Sequence, residues 1–273
     1  MNNIRILTWF TLKEAFARKV FIFFWIISVI SIIITLIIFS SSSTVDFITG
    51  MKNAKVSLSM PDLVNHLELI FMTPLTGLCI LFSIFVTASF VPVMLEKGNI
   101  DLLLSKPVSR DQLLLSKYLG GLLVVFLNIA FLVLGIWIII SVKFSYWNYA
   151  FLWSIILITF SFAVLYAVIV LIGVITKGSV LGMMVSYLIY LVLSPVLNFA
   201  FHNYQFFTSS EITRWLIKIF YYIIPQTSEV SGTLTNDIVL GKAVESYNPV
   251  WVSLLFIILT MGIAISIFRK KDF

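Results

Sequence analysis

The sequence predicts an all-α membrane protein. It has six transmembrane helices, an N-terminal interfacial helix, a short helix on a cytoplasmic loop, and a short external interfacial or re-entrant helix between spans 5 and 6. Three observations predict this. Of 273 residues, 60% are hydrophobic and 11% charged, where soluble domains carry about 25% charged residues, and the mean hydropathy is +1.09. Apolar runs near the length of a bilayer crossing recur along the chain. Lys and Arg gather at the ends of those runs: twelve in 1–19, 96–121, 176–178 and 269–271, against six in the intervening loops. The positive-inside rule then places both termini in the cytoplasm of a multi-pass plasma or inner membrane protein. The net charge of +6 is spread over these ends and not gathered on one soluble face, which argues against nucleic acid as a partner.

Residues 1–19 carry Arg5, Lys13, Arg18 and Lys19 among Ile4, Leu7, Trp9, Phe10 and Phe16, the composition of a helix lying on the membrane surface. The first span is about 20–39. Its apolar run exceeds the roughly 7–15 residues of a signal-peptide core, so it reads as an uncleaved anchor. A polar loop follows over 40–66. Ser59 with Asp62 three residues on, and Pro61 in the first turn, mark a helix start leading into the second span at about 67–95, with a kink expected at Pro74.

The next stretch, Glu96 to Gly121, is the one long charged segment between two very apolar ones. Asp101 to Leu104 reads as a short amphipathic helix. Pro107 ends it by disfavouring the α conformation at Lys106. Ser109-Arg110-Asp111-Gln112 is a capping box that starts the next helix. Leu102, Leu103 and Leu104 form an apolar centre, and Glu96, Asp101 and Arg110 flank it with charges of both signs. That combination suits docking to a soluble partner; the alternative is a solvated turn whose charges only fix topology.

The run Glu96-Lys97-Gly98-Asn99-Ile100-Asp101-Leu102-Leu103-Leu104-Ser105-Lys106-Pro107-Val108-Ser109-Arg110 resembles the cytoplasmic loop of permease subunits of ABC-2 type transporters. Asn99 stands where that family often has Thr or Ser. The resemblance covers about 25 residues, and the rest of the chain agrees in hydropathy. It implies a single ABC-2-like transmembrane domain over 1–273. It also implies a coupling role for Glu96, Asp101, Leu102, Leu103, Leu104 and Arg110 against a cytosolic ABC ATPase subunit. ATP and Mg would then be bound on that partner and no cofactor on this chain, and a second copy or homologue of the membrane subunit would complete the assembly within membrane lipid.

The third span runs over about 113–141, the fourth over 151–175 and the fifth over 180–201, with Pro195 inside the fifth. Thr176-Lys177-Gly178 makes a tight turn. Between the fifth span and the sixth, at about 250–268, Ile212, Trp215, Leu216, Ile219, Phe220 and Ile223 recur at helical spacing, and Pro225 ends the run. At about 14 residues that helix is too short to span, and Trp215, Tyr221 and Tyr222 suit the headgroup level. Trp215, Ile219 and Ile223 are expected to face lipid or bundle at the exit.

The chemistry the chain lacks narrows the reading. Gly173 to Ser179 has the letters of a phosphate loop but not their order, and it sits at a membrane turn, so this chain is not expected to hydrolyse ATP. The spans hold no ionisable residue in their central turns, which argues against an ion-coupled transporter or an intramembrane protease. Asn128, Thr35, Thr87, Thr159 and Ser186 read as interhelical glue. The lone Cys79 reads as a core residue. His66 and His202, with Asp62 and Glu68 near in sequence, do not form a metal motif. The expected function is the permease subunit of an ATP-driven exporter or floppase. A membrane anchor recruiting a soluble complex and an ATP-independent secondary transporter are the alternatives.

Overall fold

In the computed structural model the described residues are 2–17, 19–41, 59–99, 108–203, 211–244 and 246–271. Among them every regular element is helical. The chain runs α1 (Asn2–Ala17), α2 (Lys19–Ser40), α3 (Met60–Thr87), α4 (Phe90–Met94), α5 (Arg110–Phe144), a 3-10 turn (Tyr149–Leu152), α6 (Trp153–Thr176), α7 (Val180–Leu188), a π turn (Ile189–Leu193), α8 (Ser194–His202), α9 (Glu211–Ile223), a second π turn (Glu229–Leu234), α10 (Thr235–Val239) and α11 (Asn248–Lys270).

Five stretches are long and apolar enough to cross a membrane: Met60–Met94, Arg110–Phe144, Tyr149–Thr176, Val180–His202 and Asn248–Lys270. In α2 the shorter apolar stretch Phe24–Ser40 occupies the place expected for the first span. The helix starts follow the sequence signals. Ser59 Oγ accepts from the Asp62 amide and donates to the Asp62 carboxylate, and Ser109 Oγ accepts from the Gln112 amide, each satisfying one orphan donor of a helix N-terminus.

The helix α6 is the hub. Ten consecutive residues, Ser161 to Val170, are buried, as expected of a helix apolar on all sides. It packs against α3, α5, α7 and α11. The helices α5 and α6 meet through a stack of Tyr118, Tyr166 and Phe162, with ring centroids 5.4 Å apart in both pairs. Tyr118 donates to the Ala163 carbonyl and Tyr166 to that of Lys117. Gly121 makes room for this: a Cβ there would lie 2.5 Å from the Tyr166 ring. The helix α2 lies along α5, with Trp25 stacked on Phe131 at 4.6 Å and Ile32 against Gly135.

Several expectations change. The second span begins at Met60 and breaks at Ala88–Ser89 before the short α4. The fifth is continuous over Val180–His202 but not α-helical throughout. Pro195 has no N–H for the carbonyl four residues back, and the chain passes through a π turn just before it. Of the expected glue residues, two act between helices: Asn128 accepts from Ser28 at 2.9 Å, and Ser186 donates to the Leu165 carbonyl at 3.3 Å. Thr35, Thr87 and Thr159 instead donate to carbonyls of their own helices four residues back. The ion pair between the buried Lys117 and the half-buried Glu14, at 2.5 Å between α5 and α1, was not foreseen. Cys79 is buried, as expected.

Candidate coupling site

The charged loop leaves the bundle from α4 and returns at α5, and both feet stand at the C-terminal end of α6. On the outgoing side α4 packs so closely on α6 that a Cβ at Gly173 would touch Pro92 and Val91 at 3.5 Å. The helix end is then closed locally: Asn99 Nδ2 donates to the Val93 carbonyl at 3.0 Å, and its amide to that of Glu96 at 3.2 Å. Gly98 takes φ +91°, a left-handed conformation suited to glycine. The asparagine at the position that departs from the ABC-2 pattern thus serves as a local cap. Glu96 and Lys97 are exposed.

On the returning side the first two residues of α5 hold the end of α11. Arg110 donates to the main-chain carbonyls of Arg269 at 3.1 Å and Lys271 at 2.6 Å. The next residue, Asp111, forms a two-pronged ion pair with Arg269, one prong being Nε to Oδ1 at 2.7 Å. Cations at a helix C-terminus satisfy orphan carbonyls and complement the helix dipole. The device repeats one helix along: Lys271 Nζ donates to the Val174 carbonyl at 2.6 Å and to that of Ile175 at 3.0 Å. Burial there, and then the neighbouring Lys177 ammonium, hold Lys271 below its ordinary pKa. The start of α5 and the ends of α11 and α6 are therefore one bonded unit.

The sequence-predicted coupling residues divide accordingly. Glu96 is exposed at the outgoing foot. Arg110, expected as a charge on a docking rim, is instead engaged with the end of α11. Asp101, Leu102, Leu103 and Leu104 lie outside the described residues. Arg269, Lys270 and Lys271 were read from the sequence for orientation alone; a basic run just past an apolar helix is also the signal for carbonyl capping.

The opposite end is built differently. Ile212, Trp215, Ile219 and Ile223 of α9 are 73%, 64%, 47% and 60% exposed, an apolar stripe that the chain itself leaves uncovered. The end of α9 docks: Tyr221 stacks on Phe201 with centroids 3.9 Å apart and interplanar angle 3°. The Tyr221 hydroxyl donates to Glu229 at 2.5 Å; burial, and then this bond, raise its pKa. The following segment, 226–239, which the sequence reading left without structure, is largely buried. Val230 and Leu234 pack on Leu157 of α6, Ser161 donates to the Thr227 carbonyl, and Ser194 donates to Ser228 Oγ. Beneath it, Asn148 donates to the fully buried Glu68 at 2.8 Å and to the Val239 carbonyl at 3.2 Å.

His66 and His202 do not meet. His66 Nδ1 faces the Asp62 carbonyl, and His202 lies 4.0 Å from Glu229. Among the described residues no group of three or more candidate ligands comes together.

Comparison with curated proteins returned no match. The family comparison is decisive: residues 22–273 match the model of the ABC-2 family transporter proteins, and the chain belongs to that family as a membrane permease component.

Proposed function

We propose that this chain is the permease subunit of an ABC transporter that exports or flips an apolar or amphipathic compound, driven by a separate ATPase subunit. In this reading α2 is the first of six spans, both termini and the 96–121 loop are cytoplasmic, and 202–249 is external. A second membrane subunit, identical or homologous, completes the translocation path. ATP and Mg act on the partner ATPase. The observation that carries the reading is the bonded unit at the feet of the loop. A push on the Asp101–Leu104 segment reaches α5 through Ser109–Arg110. Arg110 and Asp111 hand it to α11, and Lys271 to α6, so the loop moves packed helices as bodies. The exposed stripe of α9, carrying Trp215, Ile219 and Ile223, rests in the external headgroup layer and closes the exit in the resting state.

The test is co-purification followed by turnover. A cytosolic ATPase should co-elute with the tagged subunit, and its ATP turnover should rise with transported compound. Retention of an ATPase without turnover coupled to transport would turn the reading into that of an anchor; transport without any ATPase would make it a secondary transporter. Topology is tested with single cysteines in a Cys79→Ala background. Ala243→Cys, exposed between α10 and α11, should react with an impermeant thiol reagent outside intact cells and Ser105→Cys should not; labelling of Ser105→Cys from outside contradicts the orientation. Thr235 is buried and makes a poor reporter.

A further inference from the structure

A groove of about 1000 Å³ lies between α1 and α5, at the top of the range of ligand clefts, about 300–1,000 Å³. Its walls are apolar, with Ile4, Ile6, Leu119 and Leu123 among them; its polar groups come from Arg5 and Thr8. Among the described residues Arg5 forms no ion pair, and the buried Thr8 hydroxyl has no hydrogen-bond partner. The groove therefore offers the Arg5 guanidinium beside an apolar floor.

Its depth follows from packing. Glu14 pairs with Lys117, and Thr11 sits where a Cβ on Gly120 would be, 2.6 Å away. So α1 runs antiparallel to α5, with its first turns toward Leu123. The 35 residues of α5 measure about 52 Å, longer than the roughly 30 Å of hydrocarbon. Counting about 20 residues back from Phe144 reaches the level of Leu123. Arg5 then lies at the hydrocarbon boundary on the loop side. The floor continues into the bilayer through the exposed Phe126, Phe131 and Leu134. Along α1, Arg5, Trp9 and Lys13 follow at intervals of four, with Lys13 Nζ 6.0 Å from the Trp9 ring centroid, a pairing of cations and indole suited to headgroups.

We infer that this groove binds an anionic phospholipid of the loop-side leaflet, its phosphate on the exposed Arg5 and an acyl chain along Leu119 and Leu123. A soluble anion would not use the apolar floor, and a neutral lipid would leave Arg5 without a counter-charge. Only the naming of the leaflet rests on the proposed orientation.

The test is native mass spectrometry of the purified full-length subunit titrated with phosphatidylglycerol or phosphatidylcholine. The wild type should retain one phosphatidylglycerol about fivefold more tightly than phosphatidylcholine, the difference one cation near a headgroup makes. Arg5→Ala should abolish that preference and Arg5→Lys should keep it. Leu123→Trp, which fills the floor, should lower retention of both lipids while the protein still elutes as a single folded species. Equal retention by wild type, Arg5→Ala and Leu123→Trp would overturn the inference. So would full competition by soluble glycerophosphoglycerol, which would leave a bare anion site. The measurement needs no ATPase, so its failure and that of the transporter reading are separate results.

Discussion

The two ends of this bundle are closed by opposite means. At the loop end, charged side chains reach across to main-chain carbonyls of neighbouring helices: Arg110 to α11 and Lys271 to α6. At the other end the tie beneath α10 is buried, Asn148 holding Glu68 and the Val239 carbonyl. Above it α9 is docked chiefly through its last turn. The first arrangement makes a stiff unit that transmits load between helix ends. The second leaves a helix with an uncovered apolar stripe, attached by the Phe201–Tyr221 stack.

Breaking the buried tie should have the largest effect on stability. Asn148→Leu removes the donor to Glu68 and the side-chain oxygen that accepts from the Ala150 amide. Leaving a buried acid without its donor costs about 3 kcal/mol, read as a clear loss of melting temperature in the purified subunit. A melting temperature equal to wild type would show that this end is not held there.

Arg110→Ala should cost less, about 1 kcal/mol, because the carbonyls it leaves are partly open to water. Its larger signature is mechanical: the end of α11 should exchange its amide hydrogens faster while the α6 core does not. Arg110→Lys should only partly restore protection, since a lysine lacks the planar fork of donors. Unchanged exchange at α11 would remove the bonded unit from the account.

The smallest effect is expected at Asp111. Asp111→Asn loses an ion pair whose Arg269 partner is largely exposed, and such pairs contribute little. The shift in melting temperature should be marginal at low salt and vanish at high salt, where exposed charges are screened. A large shift at high salt would mean that the ion pair, and not Arg110, holds the end of α11.

How much of this was legible in the sequence follows from what the bilayer demands. A crossing requires about twenty apolar residues, so the second to sixth spans stood out, and Ser59 and Ser109 marked helix starts by chemistry local to the chain. Contacts between distant residues carry no such mark. Nothing near Arg110 says that its guanidinium meets carbonyls some 160 positions away, and nothing near Lys117 points to Glu14. The buried 226–239 segment was missed because Gln226, Thr227, Ser228, Glu229 and Ser231 break the apolar period. It is buried through hydrogen bonds as well as through Val230 and Leu234. Pro195 was placed inside the fifth span with no sign of how the helix would take it; the chain accommodates it with a π turn just before it.

In the proposed function the 96–110 loop docks an ATPase and drives the unit at its feet. Leu103→Asp tests it most directly, because it places a charge in the apolar centre of the proposed contact, at a cost of several kcal/mol, and touches no span. The variant should insert normally but lose ATPase co-purification and substrate-stimulated turnover. Assembly and transport equal to wild type would contradict it and leave the loop as a turn.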